Sequence, residues 1–254
     1  MTMENFLSSV RNSCKLLKVF LDSPKELGVT ELSKRLQLSK GAVHKILATL
    51  ESEGFIRQNE ATKQYTLGYT LLELGNKVIK NHDIVDFSAP YLNQLLAQTK
   101  ELVVLCILDK TDALYVAKLD SPHPIRFNVE IYRRFPPYAT SGSRVLLAYQ
   151  SDAFQQEVLS DVELKKYTPQ SFASVEEIKE NLRQIKERGY EMSWNRRNQG
   201  VTGMAAPVFD ATDQVVAAVS VIGPTDRVQP QVDSIRNHLL QITSEMSEQL
   251  GHRP

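Results

Sequence analysis

The strongest constraint on this chain is the apolar spacing within residues 39–54. Val43, Ile46, Leu47 and Leu50 recur at i, i+3, i+4 and i+7, which lays one apolar stripe along a helix and leaves Lys40, Gly41, His44 and Lys45 on the other side. One face is suited to docking and the other is free to touch a partner. Ser39 is a good N-cap and Gly54 a good stop, so both ends of this helix are written locally. Ahead of it, residues 30–36 read as a short helix capped by Thr30, with Gln37 and Leu38 as the turn. Behind it, residues 55–58 and 64–67 read as two short strands joined by the polar residues 59–63, a wing. Short helix, turn, second helix with basic residues near its start, and wing together predict a winged helix-turn-helix, which sets its second helix into the DNA major groove.

The distribution of charge supports this reading better than its sum. The formal net charge of the 254 residues is +0, but residues 1–80 carry 12 Lys and Arg against 8 Asp and Glu, leaving 18 against 22 for the remainder. The modest cationic excess falls where phosphate contacts require it. Cys14 and Cys106 each stand amid apolar residues, so both are expected to be buried thiols of a reducing compartment rather than a disulfide or metal pair. No stretch approaches ~18 consecutive apolar residues and the N-terminus has no apolar leader pattern, so no membrane association and a cytoplasmic location are expected.

Residues 8–21 read as a first helix with Val10, Cys14, Leu17 and Leu21 as its packing face. Residues 68–80 read as a connecting helix. A helix over 91–100 follows Pro90, and then the pattern changes to strands: 102–109 and 113–119 as an antiparallel hairpin, 125–131 as a further strand, and 190–194, 201–209 and 215–223 completing a sheet. Helices are expected over 143–149, over 175–188 between a Ser174 cap and a Gly189 stop, and from Pro230 onward with Ile235, Leu239, Ile242, Met246 and Leu250 in one stripe. The expected class is α+β, with an antiparallel sheet that buries one face against helices and leaves the other curved around a small ligand. The expected division is residues 1–68 for the winged helix-turn-helix, 69–82 for a linker helix and 83–254 for a second, sensing domain.

From about residue 8 to 228 the chain resembles the IclR family of bacterial transcriptional regulators. The resemblance rests on Leu38-Ser39-Lys40 to Gly54-Phe55-Ile56, on Tyr65-Thr66-Leu67-Gly68 with Leu72-Glu73-Leu74-Gly75, on Pro137-Tyr138-Ala139-Thr140, and on the segment from Gly200 to Gly223-Pro224. It implies a GAF-like effector domain, homodimers and often tetramers, binding to palindromic operators in double-stranded promoter DNA, and response to small organic acids or sugar-derived metabolites. Repression, activation or both are compatible with it. The matched positions point to Ser39, Lys40, Gly41, His44 and Lys45, with Lys63 on the wing, for DNA. After Lys40 the family usually has hydroxyl residues, whereas Gly41 and Ala42 stand here, so base reading falls on Lys40, His44 and Lys45.

For the effector, the resemblance points to Ser141, Gly142, Ser143, Ser193, Gly203, Ser220 and Ile222. Ser193 and the following residues Trp194, Asn195, Arg196 and Arg197 replace positions that are often acidic in the family. Gly203 and Ile222 replace a frequent cysteine and serine. The expected pocket therefore has a roomier, less polar floor and a more cationic rim, suited to a carboxylate with an apolar or aromatic body. Trp194 would supply a stacking face, Arg196 or Arg197 the counter-charge, and the helix start near Ser141 a second anion-favouring feature. Tyr138, where many members have histidine, is expected to close the pocket mouth. The competing reading is an enzyme built on the sheet domain. It finds no catalytic set and no cofactor or metal motif: His44, His82, His123, His238 and His252 are scattered, and neither a P-loop, G-x-G-x-x-G nor G-x-S-x-G occurs.

Overall fold

The computed structural model describes residues 6–23, 26–80, 83–160 and 162–253. His82, and with it the end of the expected linker, lies outside the described residues. The chain divides into two compact units, Met1–Asp83 and Ile84–Pro254.

The first unit holds α1 (Ser8–Val19), a 3-10 turn (Phe20–Asp22), α2 (Val29–Leu36), α3 (Lys40–Ser52), the strands β1 (Ile56–Gln58) and β2 (Tyr65–Leu67), and α4 (Tyr69–Lys80). Leu16, Phe20, Leu27, Leu32, Val43, Leu47, Ile56 and Tyr65 form its core. The expected packing face of α1 is corrected here: Leu16 and Phe20 point inward, while Val10, Cys14 and Leu21 are exposed. The spacing was right for a stripe but could not say which of two apolar stripes the core would take. α2 starts one residue early, on Gly28, without the Thr30 cap. Its turn is closed instead by Gln37 in the left-handed region (φ 54°) and by Ser33 Oγ donating to Leu38 O at 2.6 Å. β1 and β2 pair antiparallel from Ile56–Leu67 to Gln58–Tyr65. A Cβ on Gly68 would lie 2.0 Å from Gly54 O, so the chain returning from the wing passes α3 where only glycine fits.

The second unit is built on one six-stranded antiparallel sheet of order β5-β4-β3-β8-β7-β6. Its strands are β3 (Leu102–Asp109), β4 (Asp112–Leu119), β5 (Arg134–Phe135), β6 (Glu191–Trp194), β7 (Val201–Phe209) and β8 (Val215–Pro224), and its helices are α5 (Asp83–Thr99), α6 (Ser141–Ala148), α7 (Asp152–Ser160), α8 (Val175–Arg188), α9 (Thr225–Val228) and α10 (Val232–Gln249). Strand alternation sends Leu102, Val104 and Cys106 into the core that includes Val145, Leu146, Ile178 and Leu182 of α6 and α8. Val103 and Leu105 pack with Leu92 and Leu95 of α5 and Ile235, Leu239, Ile242 and Met246 of α10. The sheet is therefore covered on both faces. The expected bare face is a misreading of these strands, whose near-continuous apolar runs are the mark of two-sided burial.

Three further expectations are corrected. α5 runs through Pro90 instead of starting after it, although proline inside a helix removes a backbone donor. Residues 125–131 form no strand: the pairing with β4 is made by Arg134 and Phe135. α7 was not anticipated. The Ser174 cap (Oγ accepts from Glu177 N at 3.2 Å) and the Gly189 stop (φ 80°) are both present on α8.

α6, α8 and β6 are joined by a buried carboxylate. Glu191, fully buried, accepts from Arg144 Nη2 (2.6 Å) and Nε (3.1 Å), from Asn181 Nδ2 (3.1 Å) and from Arg188. Glu191→Ala leaves the equally buried Arg144 without its counter-charge. It is expected to destabilise the second unit by about 3–5 kcal/mol in denaturant unfolding, the range for breaking one side of a buried pair.

Candidate functional site

Two surfaces carry the candidate residues, one in each unit. On α3, Ser39 caps the helix by accepting from Ala42 N at 3.2 Å. Val43 and Leu47 are buried, and Ser39, Lys40, Gly41, His44 and Lys45 are exposed together on the outer side. A Cβ on Gly41 would meet nothing within 4 Å, so packing does not demand this glycine, and the backbone there is open to close approach. Lys63 is exposed on the wing connection with φ 55°. That connection has a fixed shape: Asn59 Oδ1 accepts from Ala61 N and Thr62 N, while Asn59 Nδ2 and Thr62 Oγ1 donate to Glu26. Among the described residues, Lys40, Lys45 and Lys63 form no ion pair with a carboxylate, which leaves three cations available to an external anion.

The second surface is a cavity of about 370 Å³ beside the start of α6. Six of the residues singled out from sequence line it: Ser141, Ser193, Arg196, Arg197, Gly203 and Ile222. Thr140 caps α6 in a reciprocal box with Ser143: Thr140 Oγ1 accepts from Ser143 N (3.1 Å) and Ser143 Oγ from Thr140 N (2.8 Å). Ser143 is thereby spent inside the helix start. Gly142 packs on the sheet, where a Cβ would lie 2.6 Å from Cys106 Sγ and 2.8 Å from Ser220 Oγ, so neither Gly142 nor Ser220 reaches the cavity lining. Trp194 is also absent from the lining. Alternation along β6 puts Glu191 and Ser193 on the α6 side and Trp194 on the opposite face.

The expected roomier floor is corrected as well. A Cβ on Gly203 would sit 2.9 Å from Ser141 Oγ, so the space freed by this glycine is taken by the Ser141 side chain. Arg197 places its guanidinium 4.8 Å from the Phe135 ring centroid and 4.6 Å from that of Tyr167. Arg196 turns instead to the Phe172 ring (4.1 Å) and donates to Gln170 O. Burial holds its pKa below the usual guanidinium range, and the charge of Arg144 adds to the effect. Tyr138 is tied down by donating to Glu163 O (3.1 Å) and accepting from Lys165 N (3.0 Å); it anchors the 163–165 segment and does not line this cavity.

Comparison with known proteins assigns both surfaces to one family. Residues 9–60 match the IclR helix-turn-helix domain, and residues 76–250 match the model described as Bacterial transcriptional regulator IclR C-terminal. The chain is 32% identical over 241 residues to the HTH-type transcriptional regulator KdgR of Escherichia coli, covering 91% of this chain and 92% of that protein. To the regulator XynR of the same organism it is 32% identical over 247 residues, covering 97% and 98%. This chain belongs to the IclR family. A crystal structure of an IclR regulator from Alicyclobacillus acidocaldarius shares the fold with a TM-score of 0.82, at 27% identity over 97% of this chain and all of that one.

As an IclR-family member the chain is a DNA-binding transcriptional regulator and not an enzyme, with an α+β effector-binding unit behind a winged helix-turn-helix. Among the described residues no helix is long and apolar enough to cross a membrane. The family motifs did not foretell the rest of the cavity wall: Tyr115, Phe127, Asn128, Val129, Glu130, Arg133, Phe135, Asn198 and Val201. Five of these come from residues 127–133, irregular chain that overlaps the strand expected over 125–131. The apolar-polar alternation of residues 125–131 predicts a strand, not a cavity wall. Its start is held by Arg227, which donates to Ile125 O (2.9 Å) and pairs with the buried Glu101.

Cys106 lies under this helix start, and burial pushes its thiol up to about 12 from an ordinary value of 9.0. The unfolded chain loses this proton near pH 9 while the folded chain keeps it, so stability falls as pH rises from about 9 toward 12, by up to ~1.4 kcal/mol per pH unit. Denaturant unfolding between pH 8 and 10 is expected to show that decline, and Cys106→Ala to remove this contribution to the slope. A thiol reagent at pH 8 is expected to modify Cys106 only after unfolding.

Proposed function

We propose that this regulator controls promoters in the cytoplasm as a homodimer, or as a tetramer of such dimers, on a palindromic operator, and that a small organic acid in the α6 cavity sets its affinity for that DNA. The observation that carries the reading is the meeting of Ser141, Arg197 and the first turn of α6 around one cavity: a hydroxyl, a guanidinium and a helix N-terminus all favour a carboxylate. The aromatic faces for the ligand body are those of Tyr115, Phe127 and Phe135 in place of Trp194. Whether the outcome is repression or activation depends on which arrangement of the dimer the acid prefers, since a ligand with equal affinity for both changes nothing.

On the DNA side, Lys40, His44 and Lys45 read base edges from α3, Ser39 and Gly41 bring the helix start to the backbone, and Lys63 of the wing contacts phosphate. Fluorescence anisotropy on the gene's own upstream fragment tests this assignment. His44→Ala and Lys45→Ala are each expected to cost ~1–3 kcal/mol of sequence discrimination. Lys63→Ala is expected to weaken binding evenly across sequences and to reduce the salt slope by about one. If the unaltered protein retains no upstream fragment at low ionic strength, with or without candidate acids, the proposal fails.

The homodimer rests on the outer stripe of α1. Leu7, Val10 and Leu21 are 74%, 56% and 75% exposed, and Cys14 joins them, an apolar face too regular to be left to solvent. Val10→Asp is expected to convert the dimer to monomer in sedimentation velocity and to abolish binding to a two-half-site fragment. The loss would follow because a single half-site contributes only part of the contacts.

A further inference from the structure

Arg197 differs from most arginines of its unit in what surrounds it. Arg133, Arg134, Arg144, Arg188 and Arg227 each face a carboxylate. Arg197 faces two rings, those of Phe135 and Tyr167, and its Nη1 is buried with no hydrogen-bond partner among the described residues. A buried guanidinium N–H without an acceptor is costly, whereas the ring faces hold the cation without using its N–H groups. The backbone on either side is fixed. Thr168 Oγ1 donates to Asn195 O (2.6 Å) and Arg196 O (3.1 Å), Ser171 Oγ to Arg196 O (2.8 Å), and Gly200 N to Asn195 Oδ1 (2.7 Å). Among the described residues that line the cavity, Glu130 brings the one carboxylate, and it is engaged by Arg133 at 3.0 Å.

We infer that Phe135 and Tyr167 form an aromatic clamp that presents the Arg197 guanidinium, unneutralised, as the anion receptor of the cavity, so that the effector is an acid with a single carboxylate head held by Arg197. The inference rests on the organic-acid reading above and sharpens it. Tyr167 acts through Arg197 as a positioning residue and lies outside the cavity lining itself. The ring is what matters at that position, so the clamp tolerates loss of the hydroxyl and not loss of the ring.

The test is isothermal titration of the full chain with pyruvate, benzoate and gluconate, with benzamide as the uncharged control. Saturable binding of at least one acid, with benzoate preferred over benzamide where benzoate is the acid that binds, supports the inference when Arg197→Gln weakens it about 10- to 100-fold, the loss expected for a charge-assisted hydrogen bond. Tyr167→Leu is expected to weaken it also, and Tyr167→Phe to leave it unchanged. The unliganded melting temperature of Arg197→Gln is expected to match that of the unaltered protein, which a merely structural arginine would not allow. An acid bound equally well by Arg197→Gln overturns the clamp and leaves the organic-acid reading standing. Benzoate and benzamide bound alike also overturns the clamp. Failure of all three acids to bind the unaltered protein overturns both.

Discussion

The effector unit depends on one buried charge. Glu191 is withdrawn completely from water, where an unpaired carboxylate would cost many kcal/mol, and it is tolerated because Arg144, Arg188 and Asn181 supply four donors from α6 and α8. Arg144 uses a further donor on Tyr138 O (3.0 Å), and its guanidinium packs 5.2 Å from the Phe172 ring. A hydrophobic contact in this place could slide. A carboxylate with directed donors cannot, so α6 is fixed in register against the edge strand β6. Both cavity walls are set by that register: Ser193 follows Glu191 on the same side of β6, and Ser141 stands one turn before Arg144 on α6.

Two-sided burial of the sheet explains why the cavity is where it is. With α5 and α10 on one face and α6 and α8 on the other, the sheet offers no open surface to a ligand. The cavity lies where a helix layer stops short. α6 begins at Ser141, over the sheet, and ahead of it the cover is irregular chain: residues 127–133 and the turn after β6. Loops can carry polar side chains toward an interior without leaving backbone groups stranded, because their outer side faces water. Asn128, Glu130, Arg197 and Asn198 reach the cavity from such segments, while its floor comes from strand residues Gly203 and Ile222.

Much of this was legible before any coordinates. The α3 stripe, its Ser39 cap, the wing and the Ser174 and Gly189 ends of α8 follow from local rules that tertiary packing does not override. Six cavity residues, Ser141, Ser193, Arg196, Arg197, Gly203 and Ile222, follow from motif position. The failures have physical causes. α1 carries two apolar stripes, and only packing tells Leu16 and Phe20 from Val10 and Leu21. Pro90 reads as a helix start because its local cost is real, yet α5 continues through it where burial of Leu92 and Leu95 on the sheet compensates. Residues 125–131 alternate apolar and polar and so read as a strand, yet β4 pairs with Arg134 and Phe135 instead; the side taken by Trp194 depends on strand register, and Ser220 is covered by Gly142.

Gly203 shows how a departure from a family pattern is misread when taken alone. A missing side chain suggests room for the ligand, but a neighbour across the cavity can take the room first. Here Ser141 Oγ occupies it, which keeps a hydroxyl at the floor where a larger residue on β7 would push it away. The two positions are therefore one feature. Introducing cysteine at 203 without shrinking residue 141 forces Ser141 to move, and with it the first turn of α6. The polarity of the floor thus comes from the helix, and Ser141 lines the same cavity as Arg197.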